Sequence, residues 1–271
     1  MCPGNANHPH PLYEYEGKSI FYSDFVSSLE EVGIEKADTV LVHSDISVFG
    51  KLCLPDRDLL CKALVDSIKE TVGDQGTIIM PTFSYSFCNN EVFDINNTRS
   101  TVGVLTEYFR QQPDTSRTGH PIFSVGIWGK HQQQLLDVGP DSFDRDSIFG
   151  KLQDMQAKVL FFGAPFLACT HIHYAEQMRE VPYRYVKTFT GTFRDGDDSH
   201  ETTCTYLVRN LEMNVVYDLS SFEKHLRHKG MLKEASVGSG KMLSIDMVDL
   251  SEQGHKMMDK NIFCFLKKPV G

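Results

Sequence analysis

Short apolar segments alternate along this chain with segments of helical spacing, and this alternation restricts the fold more than any other feature. Residues 76–81 and 158–163 are apolar almost throughout, which is typical of strands covered on both faces of a sheet. Residues 38–43 and 123–128 are two further strand candidates. Strands separated by helices favour an α/β fold, in which helices flank one central mixed sheet.

Three segments between the predicted strands carry helix signals. The first begins after an N-cap in residues 23–24 and stops at Gly33. The second opens at residues 56–58, has its leucines and isoleucine on one face, and ends at Gly73. The third covers residues 102–110. These helices would connect the strands of the central sheet.

The character of the sequence changes after about residue 186. Residues 189–193 and 202–208 resemble the two arms of a hairpin around the turn at 195–197. An amphipathic segment follows at 222–228. We therefore expect an antiparallel C-terminal extension packed on the main sheet.

Composition limits the class of protein. The chain has 271 residues, a net charge of −9 and seven cysteines without a C-x-x-C pair. The charge argues against nucleic-acid partners and is compatible with a cationic substrate. No apolar run reaches the roughly 20 residues that cross a bilayer, and the start lacks a signal peptide. We expect no membrane partner and a cytoplasmic protein with free thiols, either a monomer or a homodimer.

The chain is predicted to form one domain over residues 15–271. The preceding residues, 1–14, are rich in Pro, Gly, Asn and His and are predicted to be a poorly ordered leader.

Several candidate catalytic residues lie close together in the segment that follows the predicted strand 158–163. His173 and Glu176 are three residues apart and share one face if a helix begins near Thr170, whereas His171 points elsewhere. A histidine in the first turn of a helix is favoured in its neutral form, which is the form that a general base requires.

Three other interpretations of this segment remain open. The histidines could be structural and held by a neighbouring carboxylate. His171, His173 and Glu176 supply ligand types that zinc accepts, although no established zinc motif occurs. Cys169 could be the nucleophile of a hydrolase beside either histidine.

Two further segments could bind ligands. Residues 43–50 follow a predicted strand and gather small polar groups on a loop that could offer N–H and hydroxyl groups. Arg117 stands between a helix and a strand and could bind an anion. Each is also compatible with an ordinary structural role, and neither a Walker A nor a G-x-G-x-x-G motif is present.

Four segments occur in an order and register typical of one enzyme family. They are His-Ser-Asp-Ile-Ser (43–47), Gly-Thr-Ile-Ile-Met-Pro-Thr-Phe (76–83), Arg-Thr-Gly-His-Pro-Ile-Phe-Ser-Val (117–125) and Ile-His-Tyr-Ala-Glu (172–176). In these segments the chain resembles the aminoglycoside 3-N-acetyltransferase family, and the likeness runs from about residue 18 to the C-terminus.

The resemblance implies an α/β fold unrelated to the GCN5-type acetyltransferases, and transfer of acetyl from acetyl-CoA to an amine of an amino sugar, without a metal. It implies that the base is His173, oriented by Glu176, with Thr170 stabilising the oxyanion. Residues implied to contact CoA are His43, Ser44, Asp45, Ile46, Ser47, Phe49, Arg117, Ser124, Ser147 and Phe149. Residues implied to meet the acceptor are Tyr85, His120 and His171.

The acceptor itself stays open. Asp45 stands where the resistance enzymes carry Ser, and residues 84–91 are short and poor in acidic groups. The acceptor is therefore either an aminoglycoside or a nucleotide-linked amino sugar. From a different class, the chain could be a CoA-binding protein without transferase activity.

Overall fold

The computed structural model describes residues 8–267. The strands are β1 Tyr13–Tyr15, β2 Lys18–Ile20, β3 Thr39–Ser44, β4 Lys51–Leu52, β5 Thr77–Pro81, β6 Phe93–Asp94, β7 Ser116–Arg117, β8 Val125–Gly129, β9 Lys158–Phe162, β10 Arg184–Asp195, β11 Asp198–Arg209, β12 Lys233–Val237 and β13 Gly240–Asp246. The helices are α1 Tyr22–Glu31, α2 Arg57–Val72, α3 Val104–Arg110, α4 Gln132–Leu136, α5 Ile148–Asp154, α6 Ile172–Met178, α7 Ser220–His228 and α8 Met247–Lys260. Within the described residues, no helix is both long and apolar enough to span a bilayer.

A seven-stranded mixed sheet forms the centre of the fold, in the order β12-β13-β9-β3-β5-β8-β7. The three middle strands, β9, β3 and β5, are parallel, and the strands on either side of them are antiparallel. The predicted α/β architecture with a central mixed sheet is confirmed.

The middle strands are mostly apolar because both of their faces are covered. Side chains alternate between faces along a strand. Leu41 and Ile79 belong to a core beneath α5, α6, α7 and α8. Val40 and Ile78, one residue earlier on each strand, belong to a second core with α1, α2 and α3. A helix layer on each face explains why alternation of polar and apolar residues is missing here.

The ordered chain begins earlier than residue 15. β1 pairs with β2 and β4, and Tyr13 is fully buried against Phe25 and Phe49. Burial of an aromatic ring stabilises this segment in spite of the prolines and histidines around it. Residues 1–7 of the predicted leader lie outside the described residues.

The C-terminal extension is divided between two sheets. The predicted hairpin is longer than expected, since β10 and β11 pair over their full length. It joins the distant β6 rather than the central sheet. The antiparallel strands that do extend the central sheet are β13, which pairs with β9, and β12, which pairs with β13.

Candidate active site

The carboxyl ends of β3 and β9 bring two of the polar segments together. These neighbouring strands are parallel, with His43 opposite Phe161 and Ser44 opposite Phe162. Their chain continuations therefore leave the same edge of the sheet. Ligand sites in α/β folds form at this kind of edge.

A cavity of about 190 Å³ lies at this edge. Four of the predicted site residues line it: His43 and Ser44 from β3, Tyr85 from the loop after β5, and Thr170 from the turn before α6. Burial lowers the pKa of His43 to about 4 and raises the pKa of Tyr85 to about 12, so both side chains are neutral. The cavity thus offers neutral polar groups.

The His173–Glu176 pair forms as its spacing predicts. Both residues lie on α6, where residues three apart are neighbours, and His173 Nδ1 is 2.6 Å from Glu176 Oε2. The Glu176 side chain has no exposed surface, whereas 20% of the His173 side chain is exposed. The imidazole is therefore the accessible end of a buried pair.

Three residues that the motifs do not reveal complete the surroundings of Glu176. Tyr183 and Tyr217 donate their hydroxyls to Glu176 Oε1 at 2.8 and 2.6 Å. Arg184 Nε lies 3.2 Å from Glu176 Oε2. Burial alone would raise the pKa of Glu176, but His173, Arg184 and the tyrosine hydroxyl of Tyr217 outweigh it and hold this pKa below its usual value.

His173 is held neutral and in one orientation. Burial is the main cause that lowers its pKa, Arg184 acts in the same direction, and Glu176 opposes both. The rings of Phe143 and Tyr217 pack against it at 5.5 and 5.6 Å, near perpendicular. When Nδ1–H donates to the Glu176 carboxylate, Nε2 is unprotonated and carries a lone pair. This Nε2 atom lies 3.4 Å from Arg184 Nη2. A neutral imidazole of this tautomer can accept a proton.

His171 and His120, which are expected to meet the acceptor, are both buried. His171 is fully buried, with Nε2 at 3.0 Å from both Gln153 Oε1 and Ser251 Oγ, and burial lowers its pKa to about 3. His120 Nδ1 accepts the N–H of Phe123 at 3.0 Å, and burial lowers its pKa to about 4. Both rings are part of the packed interior.

Only the start of the 43–49 segment reaches the cavity. Asp45 Oδ1 accepts hydrogen bonds from the backbone N–H of Ser47 at 3.1 Å and from its hydroxyl at 2.6 Å, so these two side chains bind each other. The carbonyl of Ile46 accepts a hydrogen bond from Tyr13 Oη at 2.8 Å. Phe49 has no exposed surface and packs on Phe162, and its contact with CoA stays a prediction.

Arg117 and Ser124, which are expected to contact CoA, bind protein groups. Arg117 Nε donates to Thr82 Oγ1 and Ser124 Oγ at 3.1 and 3.0 Å. Its Nη1 donates to the carbonyls of Thr98 and Ile95 at 2.6 and 3.2 Å, and Ser124 is fully buried. Burial lowers the pKa of Arg117 to about 9. The guanidinium therefore joins loops of the protein instead of facing a phosphate.

Ser147 and Phe149 have structural positions as well. Ser147 is the N-cap of α5, since its Oγ accepts the Gly150 N–H at 3.2 Å and donates to Asp144 O at 2.6 Å. Phe149 is fully buried, with its ring 5.1 Å from that of Phe143. The implied contact of these two residues with CoA stays a prediction.

The geometry does not favour the metal or cysteine interpretations. His171 and His173 turn to different partners, and within residues 8–267 no group of three or more His, Cys, Asp or Glu side chains could hold a metal ion. Cys169 is buried, and burial raises its pKa to about 12, which suppresses the thiolate that a nucleophile needs.

The fold is shared with a group of α/β acyltransferases. The solved structure of AAC-IIIb in a binary complex with CoASH matches with a TM-score of 0.75 at 21% identity, covering 91% of this chain and 98% of that chain. This match shows that the two proteins share their fold. A sequence model described as aminoglycoside 3-N-acetyltransferase matches residues 41–259, and the chain belongs to that family.

Two curated relatives show the range of similarity. The SPbeta prophage-derived aminoglycoside N(3')-acetyltransferase-like protein YokD of Bacillus subtilis is 31% identical over 182 residues, which cover 58% of this chain and 64% of YokD. Aminoglycoside N(3)-acetyltransferase IV of Salmonella sp is 26% identical over 258 residues, which cover 92% of this chain and 91% of that protein. The chain thus spans slightly less than two thirds of YokD and most of the second relative.

Proposed function

We propose that this protein transfers acetyl from acetyl-CoA to an amine of an amino sugar, with His173 as the general base. The observation that carries the proposal is the 2.6 Å contact of His173 Nδ1 with fully buried Glu176, in a pair whose imidazole side chain stays 20% exposed. The amine attacks in its neutral form, and its nitrogen gains positive charge as the new bond forms, so it needs such a base to accept one proton.

The proposed step is a direct transfer. As the amine nitrogen bonds to the thioester carbon, His173 Nε2 takes a proton from it, and the C–S bond then breaks to release the CoA thiolate. The imidazolium returns its proton to this thiolate. Glu176 stabilises the positive ring, and the Thr170 hydroxyl is proposed to donate to the thioester oxygen as it gains negative charge.

Acetyl-CoA as the acyl donor is supported by the lining of the 190 Å³ cavity. His43 lies there, and within residues 8–267 its buried Nε2 has no hydrogen-bond partner. The neutral side chains of Ser44, Tyr85 and Thr170 suit the amide-containing, uncharged arm of CoA. The AAC-IIIb structure with the same fold contains CoASH.

A test of the base uses His173→Ala in a thiol-release assay. We expect kcat to fall by about 10²- to 10⁴-fold, because proton transfer to a positioned base is lost. The dissociation constant of CoA should change little, since His173 does not line the cavity of Thr170. The matched control is His228→Ala, which removes an exposed histidine from α7. Retention of full activity by His173→Ala would exclude this mechanism.

The acceptor is proposed to be an aminoglycoside, as the names of the relatives state for those proteins. One observation favours a second candidate, a nucleotide-linked amino sugar. Arg184 and Arg209 are both close enough to lower the pKa of His173 by their positive charge, and positive charge repels a polycation and attracts a phosphate. Turnover with aminoglycosides but not with nucleotide-linked amino sugars would reject the second candidate.

The same thiol-release assay distinguishes the proposed transferase from a hydrolase and from a CoA-binding protein without activity. A cysteine or metal hydrolase would lose activity in Cys169→Ser or with a chelator, whereas the proposed mechanism requires neither. Tight CoA binding without thiol release for any amine would favour a non-catalytic CoA-binding protein.

A further inference from the structure

A second cavity, of about 340 Å³, lies beside α2 and α3. Two arginines line it, Arg57 at the start of α2 and Arg99 in the loop before α3. Their side chains are 72% and 80% exposed. This cavity differs from that of His43 and Thr170 because it is lined by charged groups.

The two cavities adjoin the same short segment of chain. Val102 and Thr106 line the first cavity, whereas Gly103 and Val104 line the second. Gly103 has no side chain to fill the space between them, and a Cβ atom built on it would be 4.0 Å from the carbonyl oxygen of Ser44. A long ligand with one end beside Ser44 can therefore continue past Gly103 into the second cavity.

The charges in the second cavity favour an anion. Glu107 is already bound by Arg110, at 2.9 and 2.7 Å, and by the Ser100 N–H at 2.8 Å. Arg99 Nε stands 3.8 Å from Glu107 Oε1, and Arg57 Nε stands 3.8 Å from Asp58 Oδ1, both beyond hydrogen-bond distance. Asp58 also lines the cavity. The cavity is therefore lined by the guanidinium groups of Arg57 and Arg99 and by the carboxylate of Asp58, whose contact with Arg57 is longer than a hydrogen bond.

Resting on the proposed function, we infer that Arg57 and Arg99 bind the phosphates at the adenosine end of CoA, while its thiol end lies beside Thr170. Arginine has a planar set of donors that matches phosphate oxygens. This assigns the phosphate contact to exposed arginines, in place of Arg117, whose guanidinium is occupied by protein oxygens.

The test is calorimetric binding of CoA, 3′-dephospho-CoA and pantetheine to the full chain. Arg57→Ala and Arg99→Ala should each weaken CoA binding about tenfold, the loss expected for one charge-assisted contact. Pantetheine has no such phosphates, so its affinity should not change. A smaller effect of the substitutions on 3′-dephospho-CoA than on CoA would assign the contact to the 3′-phosphate, and an equal effect would assign it to the diphosphate.

Two further variants sharpen the measurement. Lys224→Ala removes the same charge from α7, which packs on α8 and not on the cavity, and should leave CoA binding unchanged. Asp58→Asn removes the competing carboxylate and should strengthen CoA binding about twofold to threefold, because an exposed charge contributes little.

The outcomes separate this inference from the proposed function. If wild-type protein binds CoA and both arginine variants bind it equally well, the inference is overturned and the proposed function stands. If wild-type protein binds no CoA, the proposed function fails and the inference fails with it. Equal weakening of CoA and pantetheine would indicate a general disturbance of the site and would also overturn the phosphate contact.

Discussion

Two charges of opposite sign, on Glu176 and Arg184, act on the pKa of His173. Glu176 favours the imidazolium, and Arg184 disfavours it while also binding Glu176. The base is thus neutral before it accepts a proton and stabilised afterwards. A base tuned in this way is matched to an amine that releases its proton during the reaction.

This balance predicts the pH dependence of two variants. The acid limb of kcat/KM reports protonation of His173, and activity falls as pH drops through its pKa. Arg184→Gln removes a charge that lowers this pKa, so the limb should move to higher pH. Glu176→Gln removes a charge that raises it, so the limb should move to lower pH, with kcat reduced about 10²-fold or more.

The control for this experiment is Arg179→Gln, which removes a partly exposed guanidinium bound to Asp259. Its pH profile should match that of the wild-type protein. Movement of both test variants in the same direction would contradict the assigned roles, because a purely structural disturbance cannot distinguish the two signs.

Sequence reasoning predicts the contact of His173 with Glu176 but not the surroundings of this pair. His173 and Glu176 are three residues apart, and helical spacing alone brings them together. Tyr217 is 41 residues from Glu176, and no local pattern indicates their contact. Phe49 and Ser124, which are expected at CoA, are fully buried, because a motif does not indicate which side chains turn into the core.

At the level of elements, α2 ends as its sequence predicts at both termini. Asp56 Oδ1 accepts the N–H groups of Asp58 and Leu59 at 2.9 and 3.0 Å, and Gly73 is the C-cap. These N–H groups have no partner within the helix, so the carboxylate satisfies donors that would otherwise need water.

Asp56→Ala should therefore lower the free energy of unfolding by about 1 kcal/mol. Denaturant titration would measure the loss. Asp56→Asn keeps an acceptor oxygen at the same place and should retain most of the stability. Equal losses in the two variants would show that the charge, and not the cap, is responsible.

The strands also show which pairings cannot be predicted from the local sequence. Strands β5 and β9 were predictable because an unbroken apolar run needs cover on both faces. The second partner of β10, the strand β6, was not predictable, because it consists of only Phe93 and Asp94 and Phe93 pairs with Phe193, 100 residues later. Pairing over such a distance depends on the packed structure and leaves little trace in either strand.

For the whole molecule, buried histidines link stability to pH. Burial lowers the pKa of His43 and His120 to about 4 and that of His171 to about 3, from an ordinary value of 6.5. Below pH 6.5 these histidines bind protons in the unfolded chain but not in the folded chain. The contribution of these histidines to the free energy of unfolding is therefore present above pH 6.5 and is lost as the pH falls towards 4.

We expect these three residues to produce an uptake of about three protons on unfolding near pH 5, which lowers the free energy of unfolding by about 4 kcal/mol per pH unit. His173, whose pKa is also lowered, acts in the same direction. Denaturant titrations between pH 7.5 and 5 would measure this slope. His171→Gln should reduce it by about one third, whatever its effect on stability at neutral pH.

The exposed His228→Gln is the control, because an exposed imidazole keeps most of its water on folding. It should leave the slope unchanged. A stability that is constant from pH 7.5 to 5 would contradict the burial of neutral histidines.

Arg184 is the first residue of β10, and its Nη1 donates to the carbonyl of Leu207 on β11 at 2.6 Å. The hairpin therefore carries a charge that tunes the base. An engineer who exchanged this hairpin between relatives would also exchange a group that lowers the pKa of His173. Such a graft must therefore preserve Arg184 together with its anchor on β11.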